Sequence, residues 1–238
     1  MAIKLSHSSL STYLECPLKY RYSRVDRIPQ KPKSFFSFGR SIHSALEFMY
    51  SGDECPTLED ILKTYKRKWQ RAGYATPEAE AKAKRDGEAM ITAFYKKHAK
   101  GWTQPFCVEY ALDFTVDHVR VIGYIDMVVA SKSGAIHVID WKTGKSLATG
   151  RIEEDPQLTM YQLGVEAMGV GRVAKLSLYH VPSLTMQSSK RHSEALVSAL
   201  KMRIVETAAR ISAKEFEPTP SERACGFCDF KSFCPSWK

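Results

Sequence analysis

The first hundred residues carry apolar side chains at helical spacing. In "SSLSTYLECPLKYRY" the apolar positions follow serine caps, and Pro17 is expected to bend or break the helix. The stretch "SFGRSIHSALEFMY" repeats the same period, and two longer helices are predicted at about residues 57–71 and 77–99. This part of the chain is therefore predicted to be mostly α-helical, with many lysines and arginines around its apolar stripes.

The period changes near Phe106, where three runs of β-branched and aromatic residues follow one another. Short turns divide these runs, which predict three consecutive strands. The runs are "FCVEYALDFTV", "HVRVIGYIDMVVA" and "AIHVIDWKT". A helix follows, with Asp155 as N-cap, Pro156 at its first position and Gly169 at its end. Then come the strand "VAKLSLYHV", its expected partner "LTMQSSKR" and a last helix at about 193–212. The pattern predicts an α/β fold with the core order α-β-β-β-α-β inside added helices.

Composition and charge narrow the classes of protein. The 238 residues are 44% hydrophobic, enough for a full core, and the formal net charge is +9. No apolar run approaches the roughly 18 residues of a membrane span, and the start lacks the apolar region of a signal peptide. We therefore expect a cytoplasmic protein without membrane association. The charge favours a polyanionic partner such as nucleic acid, although a solvated basic surface is the simpler alternative.

An acid and a lysine share one face of the third predicted strand. In "IDWKTG", Asp140 and Lys142 are two residues apart and point to the same side, whereas Ile139 and Trp141 point to the other. The preceding strand carries Asp126 in an apolar run, and an antiparallel turn would bring the two aspartates together. Two buried carboxylates need a neutralising cation, which is either Lys142 alone or a metal ion.

Further candidate ligands occur at four-residue spacing on helices. Asp126 and Asp140 are hard oxygen ligands that suit Mg²⁺ or Mn²⁺ better than zinc, with the backbone carbonyl of Trp141 as an added donor. His43 and Glu47 project together from one helix, so His43 is either another ligand, which would favour Mn²⁺, or a satisfied core residue; Glu47 is a supporting candidate. Gln157 and Tyr161 repeat this spacing. They either reach the active face, to position Lys142 or hold a phosphate, or act as a capping glutamine and a core tyrosine.

The cysteines are unevenly spread. Cys55 and Cys107 stand alone and are interpreted as ordinary thiols, while "CGFCDFKSFCP" places three cysteines in one loop near the C-terminus. In a reducing compartment such crowded thiols are expected to be free or to bind a metal rather than to form disulfides. A remaining candidate near the other end of the sequence completes a set of four: Cys16, Cys225, Cys228 and Cys234.

These residues resemble the PD-(D/E)XK nuclease superfamily, and within it the nuclease domains of the RecB and AddB type. The resemblance rests on "GRSIHSALE", "GYIDMVV", "IDWKTG" and "QLTMY", which stand in the family's order between residues 39 and 161. It implies a restriction-endonuclease-like core with an N-terminal helical annex. It also implies that His43, Asp126, Asp140 and the carbonyl of Trp141 bind the metal and that Lys142 supports the attacking water. Gln157 and Tyr161 then match the family's additional motif beside the active site.

The resemblance extends to the cysteines. AddB-like nucleases and the CRISPR-associated exonucleases carry one cysteine before the core and three after it around a [4Fe-4S] cluster. By this resemblance, Cys16, Cys225, Cys228 and Cys234 hold such a cluster in a loop that joins the termini, with structural zinc as the alternative. Residues 1–238 are accordingly interpreted as a single nuclease domain. Its parts are an N-terminal segment, a helical region, the catalytic core and a C-terminal helix with the cysteines, at 1–36, 37–104, 105–190 and 191–238.

The expected function is metal-dependent exonuclease cleavage of single-stranded DNA or DNA ends. No Walker-type ATP-binding motif is present, so the chain is not expected to unwind duplex by itself. Recombination, repair and CRISPR adaptation remain alternative pathways, with helicase, recombination or CRISPR adaptation partners. The competing function is a non-catalytic iron-sulfur or zinc module that recruits DNA. If the basic helices arch over the site, a single strand could stack its bases on an aromatic residue among Tyr20, Tyr22, Phe35, Phe36 and Phe38.

Overall fold

The computed structural model describes residues 3–146 and 151–237. Their contacts divide the chain into two compact units. One unit contains the residues up to Lys31, Leu112–Gly123 and those from Ser193 onward, and the other contains Pro32–Ala111 and Tyr124–His192. The prediction of a single nuclease domain over residues 1–238, with its four parts, stays a prediction.

The helices lie close to the predicted positions. α1 (His7–Glu15) ends before Pro17, which begins the short helix α2 (Pro17–Tyr20), and a π-helical turn follows at Arg21–Val25. The break arises because proline has no N–H to donate to the preceding turn, and Cys16 is extended (φ −162°, ψ 111°). The remaining helices of the N-terminal half are α3 (Ser34–Tyr50), α4 (Leu58–Lys68) and α5 (Pro77–His98). No helix among the described residues is long and apolar enough to cross a bilayer.

The strands form parallel and antiparallel pairs. After the short strand β1 (Lys4–Leu5) come β2 (Cys107–Val116), β3 (Val119–Ala130) and β4 (Ile136–Lys142). Helix α6 (Pro156–Ala167) then precedes β5 (Val173–His180) and β6 (Thr185–Lys190), and α7 (Glu194–Ser212) and α8 (Glu222–Gly226) end the series. The predicted α/β class and the order α-β-β-β-α-β are confirmed. The two-residue β1 and the five-residue α8 were not predicted, because elements so short carry no periodic signal.

In the unit that contains Tyr124–His192, β4 lies between β3 and β5. It pairs antiparallel with β3, with Met127 opposite Ile139, and parallel with β5, with Asp140 opposite Leu178. β6 pairs antiparallel with β5. Both faces of β4 are covered, and Trp141 packs in a core with Ile42 and Leu46 of α3. This burial makes the two aspartates of the strands costly unless they are paired.

In the unit that contains both chain ends, β1 pairs parallel with the start of β3, Lys4 opposite Arg120. Tyr13 of α1 is fully buried, and its hydroxyl donates to the carbonyl oxygen of Glu215 at 2.7 Å. Thr219 Oγ1 donates to the carbonyl oxygen of Glu15 at 2.8 Å. These contacts hold the segment after α7 against α1 within this unit.

Candidate active site

Strands β3 and β4 bring Asp126 and Asp140 side by side. The two residues lie one step beyond the registered pair of Met127 and Ile139, and their exposures are 7% and 4%. The backbone N–H of Trp141 donates to Asp126 Oδ2 at 2.6 Å. The antiparallel arrangement expected from the sequence is therefore present, and it buries two carboxylates next to each other.

Helix α6 adds a polar network above β4. Asp155 caps the helix by accepting from the N–H of Leu158, which fixes the first turn and the direction of Gln157. Gln157 Oε1 accepts from Lys142 Nζ at 2.7 Å, and Gln157 Nε2 donates to Asp140 Oδ1 at 3.1 Å and to the Tyr161 hydroxyl at 2.7 Å. The Tyr161 hydroxyl in turn donates to Asp140 Oδ1 at 3.1 Å. Gln157 thus contacts both Asp140 and Lys142, and Tyr161 contacts Asp140, while their role beside the active site stays a prediction.

The electrostatics of Asp140 follow from this burial. Burial raises its pKa, the charge of Asp126 raises it further, and Lys142 partly offsets both, so that the net pKa remains above its ordinary value. Lys142 Nζ lies 2.7 Å from Asp140 Oδ2. Asp140 Oδ1 thus accepts from Gln157 and Tyr161, and Oδ2 pairs with the lysine ammonium.

Helix α3 contributes His43 and Glu47 to the same site. His43 Nδ1 lies 3.1 Å from Asp126 Oδ1. Burial lowers the pKa of His43, but the hydrogen bond to Asp126 and the surrounding carboxylates outweigh it, and the net pKa is raised. Gly39 allows close packing of this helix, because a Cβ there would lie 3.0 Å from Thr143 Oγ1. Glu47 lines the cleft, and its charge contributes to raising the pKa of a neighbouring glutamate, Glu109.

Glu109 of β2 belongs to the site and was missed by the sequence analysis. One ligand atom each of His43, Glu109 and Asp126 lies within 4.8 Å of the others. Burial, then the charge of Asp126, raises the pKa of Glu109 to about 7. Simple alternation would place Glu109 on the same side as the exposed Ala111 and Asp113, but its φ of 48° interrupts the strand geometry. The sequence offers no signal for that backbone conformation.

The site opens into a cleft of about 1150 Å³. Within the described part of the chain its cationic lining residues are Arg40, Lys142 and Lys145. The basic residues of α4 and α5 are absent from this lining, and several form ion pairs instead: Lys63 with Glu59, Lys66 with Glu88 and Lys82 with Asp86. The positive charge at the cleft thus comes from α3 and from the end of β4 and the turn after it.

The set of possible metal ligands in this site fits a divalent cation. It combines one imidazole with buried carboxylates, and hard oxygen donors suit Mg²⁺ and Mn²⁺, with the imidazole favouring Mn²⁺. Asp140 Oδ2, which is buried beside Lys142, is a further ligand atom for the cation. Two groups of the predicted residues are joined by hydrogen bonds and ion pairs. His43 pairs with Asp126 in one group, and the other contains Asp140, Lys142, Gln157 and Tyr161. The carbonyl of Trp141 as a ligand stays a prediction.

The four cysteines singled out in the sequence line one cavity in the unit that contains both chain ends. Cys16 comes from the junction of α1 and α2, Cys225 from α8, and Cys228 and Cys234 from the segment after it. All are free thiols and half-buried. Within residues 3–146 and 151–237, no three of their sulfur atoms lie within 4.8 Å of one another.

Comparisons with known proteins give the family. The profile of the PD-(D/E)XK nuclease superfamily matches residues 4–235. The Gene 69 proteins of Mycobacterium phages D29 and L5 are each 27% identical to this chain, over 98% of it and over 97% and 96% of their own lengths. A provisionally assigned exonuclease from Eubacterium rectale has a similar fold, with a TM-score of 0.61, 13% identity and coverage of 92% of this chain and 85% of that chain. Since the superfamily profile spans nearly the whole sequence, the chain belongs to the PD-(D/E)XK nuclease superfamily.

Proposed function

We propose that this protein is a metal-dependent deoxyribonuclease that acts as an exonuclease on single-stranded DNA or DNA ends. The observation that carries the proposal is the buried pair of Asp126 and Asp140, with Lys142 held at 2.7 Å from Asp140 Oδ2. Two adjacent buried carboxylates destabilise a fold unless a cation neutralises them. A protein that only recruited DNA would have no use for this arrangement, which argues against the non-catalytic module.

His43, Asp126, Asp140 and Glu109, with the carbonyl of Trp141, would hold the divalent cation. When bound, Mg²⁺ or Mn²⁺ lowers the pKa of water and neutralises charge on a phosphoryl oxygen. Trp141 orients Asp126 through its backbone N–H, and His43 contacts the other oxygen of the same carboxylate. Asp126 is thereby held in one rotamer between β4 and α3.

Lys142 is the residue that supports the attacking water. Its ammonium is held between Gln157 Oε1 and Asp140 Oδ2, both at 2.7 Å. A cation fixed there favours ionisation of a nearby water and stabilises negative charge on the phosphate. Gln157 and Tyr161 are positioning residues, because they act on the reaction through Asp140 and Lys142.

The choice of substrate is supported by the cleft. Arg40 and Lys145 are exposed at its lining and form no ion pair among the described residues, which suits a phosphate backbone. The provisional name of the Eubacterium rectale protein agrees with an exonuclease. The candidate pathways are recombination, repair and CRISPR adaptation.

The resemblance to nuclease domains of the RecB and AddB type implies an iron-sulfur cluster bound by Cys16, Cys225, Cys228 and Cys234. The four cysteines line one cavity, which supports a metal centre shared by all of them. The cluster would stabilise the unit that holds both chain ends, and zinc is the alternative.

The test is a cleavage assay with anaerobically purified protein. End-labelled single-stranded and duplex DNA would be incubated with Mn²⁺, Mg²⁺ or chelator, comparing wild type, Asp140→Asn and the exposed turn variant Asp117→Asn. We expect metal-dependent degradation that falls by at least about 100-fold in Asp140→Asn and is unchanged in Asp117→Asn. Tight DNA binding without cleavage in any metal would support the recruitment module instead.

A further inference from the structure

Two exposed phenyl rings lie beside the candidate active site. Phe35 and Phe36 are 61% and 57% exposed, and their ring centroids are 4.3 Å apart at an interplanar angle of 46°. Both line the cleft that contains His43 and Lys142. Single exposed apolar residues are common, but adjacent large rings at the edge of a binding cleft mark an interaction site.

Phe36 continues a functional face of α3. Phe36, Arg40, His43 and Glu47 are spaced by four, three and four residues, so they share one side of the helix, and all four line the cleft. Seven residues of helix separate Phe36 from His43, an axial distance of about 10 Å. At the roughly 3.4 Å rise of a stacked DNA strand, this is a span of about three nucleotides.

The other aromatic residues considered from the sequence are engaged elsewhere. Tyr20 is buried and stacks on Phe216, and Tyr22 packs edge-on against Phe230 and Phe233. Phe38 is half-buried, with its ring against Trp69. Of the five candidates for base stacking, Phe35 and Phe36 are the two whose rings are exposed.

We propose that Phe35 and Phe36 stack on an unpaired nucleobase of a single DNA strand, within about three nucleotides of the phosphate at the carboxylate site. The inference rests on the proposed nuclease function and names the form of its substrate. Phenyl rings stack on any base, so the subsite is independent of sequence. Arg40, exposed between Phe36 and His43 on the same helix face, supplies the positive charge for the intervening phosphate. A base pair inside a duplex is stacked on both faces, so the subsite favours an unpaired base.

The test measures binding in chelator, where the strand stays intact. Oligonucleotides carry one 2-aminopurine at each of the first six positions from either end, and fluorescence and anisotropy are recorded at low salt. The single variants are Phe36→Ala, Phe36→Trp and Phe36→Leu. The double variant carries Phe35→Ala and Phe36→Ala together. The matched control is Phe106→Ala, an equally exposed ring (56%) that does not line the cleft. Circular dichroism checks that each variant is folded.

We expect the fluorescence change to be confined to about three positions next to one end. Loss of the rings should weaken single-strand binding by about 5- to 100-fold. Phe36→Trp should retain binding, Phe36→Leu should weaken it as much as Phe36→Ala does, and Phe106→Ala should match wild type. Unchanged affinity and fluorescence in the double variant, or full retention by Phe36→Leu, would overturn the stacking subsite and leave the nuclease proposal intact. Failure of the wild type to bind single strands would overturn both the subsite and the single-strand substrate, and cleavage of duplex DNA would then decide whether the protein is a nuclease.

Discussion

The backbone N–H of Trp141 donates a hydrogen bond of 2.6 Å to Asp126 Oδ2. This bond joins β4 to a side chain of β3 at the point where the regular pairing ends. It satisfies one oxygen of a buried carboxylate and leaves Oδ1 facing His43 Nδ1 at 3.1 Å. The strand pair therefore orients Asp126 as well as placing it.

Asp126→Asn is expected to keep the fold and lose the metal. The amide oxygen can still accept from Trp141, so the thermal midpoint should change by only a few degrees. The lost carboxylate charge should weaken Mn²⁺ binding by at least about tenfold, as measured by titration calorimetry. Asp113→Asn, on the exposed part of β2, is the matched control. Unaltered Mn²⁺ affinity in Asp126→Asn would argue that the cation binds elsewhere.

Glu109→Gln should change how stability depends on pH. In chelator the pKa of Glu109 is raised to about 7, above its ordinary value of 4.5, so the folded state retains this proton when the unfolded state has lost it. The stabilising contribution is complete below about pH 4.5 and is lost as pH rises through about 7. The glutamine of the variant does not titrate, so its stability does not fall in this pH range. At pH 8 the free energy of unfolding of the variant should therefore exceed that of wild type by about 1–2 kcal/mol, after allowance for solvent screening.

Urea unfolding at pH 5 and pH 8 measures this difference. Saturating Mn²⁺ at pH 8 should stabilise wild type more than Glu109→Gln, because the ionised carboxylate is a ligand and the amide is a weaker one. Parallel stability curves for the two proteins would show that Glu109 does not titrate in this range. Equal stabilisation by Mn²⁺ would exclude Glu109 from the metal site.

Tyr161→Phe removes a hydroxyl that touches both Asp140 and Gln157. The buried network then loses two hydrogen bonds, and stability should fall by about 1–2 kcal/mol. Cleavage at saturating Mn²⁺ should slow, with KM for DNA little changed, because the residue positions Asp140 and Lys142 rather than the substrate. Tyr124→Phe, an exposed tyrosine of β3, is the control. A normal kcat in the destabilised variant would restrict Tyr161 to a structural role.

Arg40→Gln should reduce the salt dependence of single-strand binding. Each phosphate contact adds about −0.7 to the slope of log K against log salt, so the slope should become shallower by about that amount. Lys96→Gln, an exposed lysine of α5 outside the cleft, should leave the slope as in wild type. Fluorescence anisotropy across a range of NaCl concentrations measures both variants. Equal slopes for Arg40→Gln and wild type would remove Arg40 from the phosphate path.

Cys228→Ser should lose the cofactor of the cysteine cavity and its stability together. Anaerobically purified wild type is expected to show the visible absorption of an iron-sulfur cluster with about four iron atoms per chain. The variant should lose the iron and unfold at a lower temperature. Cys55→Ser, far along the chain from this cavity and not part of its lining, should retain both. Zinc and no iron in wild type would select the alternative metal.

Local periodicity determined most of the fold and much of the site. The two-residue repeat of a β-strand placed Asp140 and Lys142 on one side of β4. The four-residue spacing on a helix placed Gln157 near Tyr161 and His43 near Glu47. Both regularities depend only on backbone geometry. The order of these elements was sufficient to predict the core. The sequence also singled out Cys225, Cys228 and Cys234 by their close spacing, with Cys16 as the remaining candidate.

Tertiary structure decided which residues complete the site. Glu109 reaches His43 and Asp126 through a φ of 48°, which alternation along β2 would have excluded. The tertiary structure also showed which of the five candidate stacking residues have exposed rings, namely Phe35 and Phe36. Periodicity alone indicates that a helix face is buried, but it does not indicate which element covers that face. The hydrogen bonds that tie Gln157 to Lys142 and Asp140 likewise depend on the packing of α6 against β4. Such contacts join residues distant in sequence, and their geometry is set only when the elements are packed.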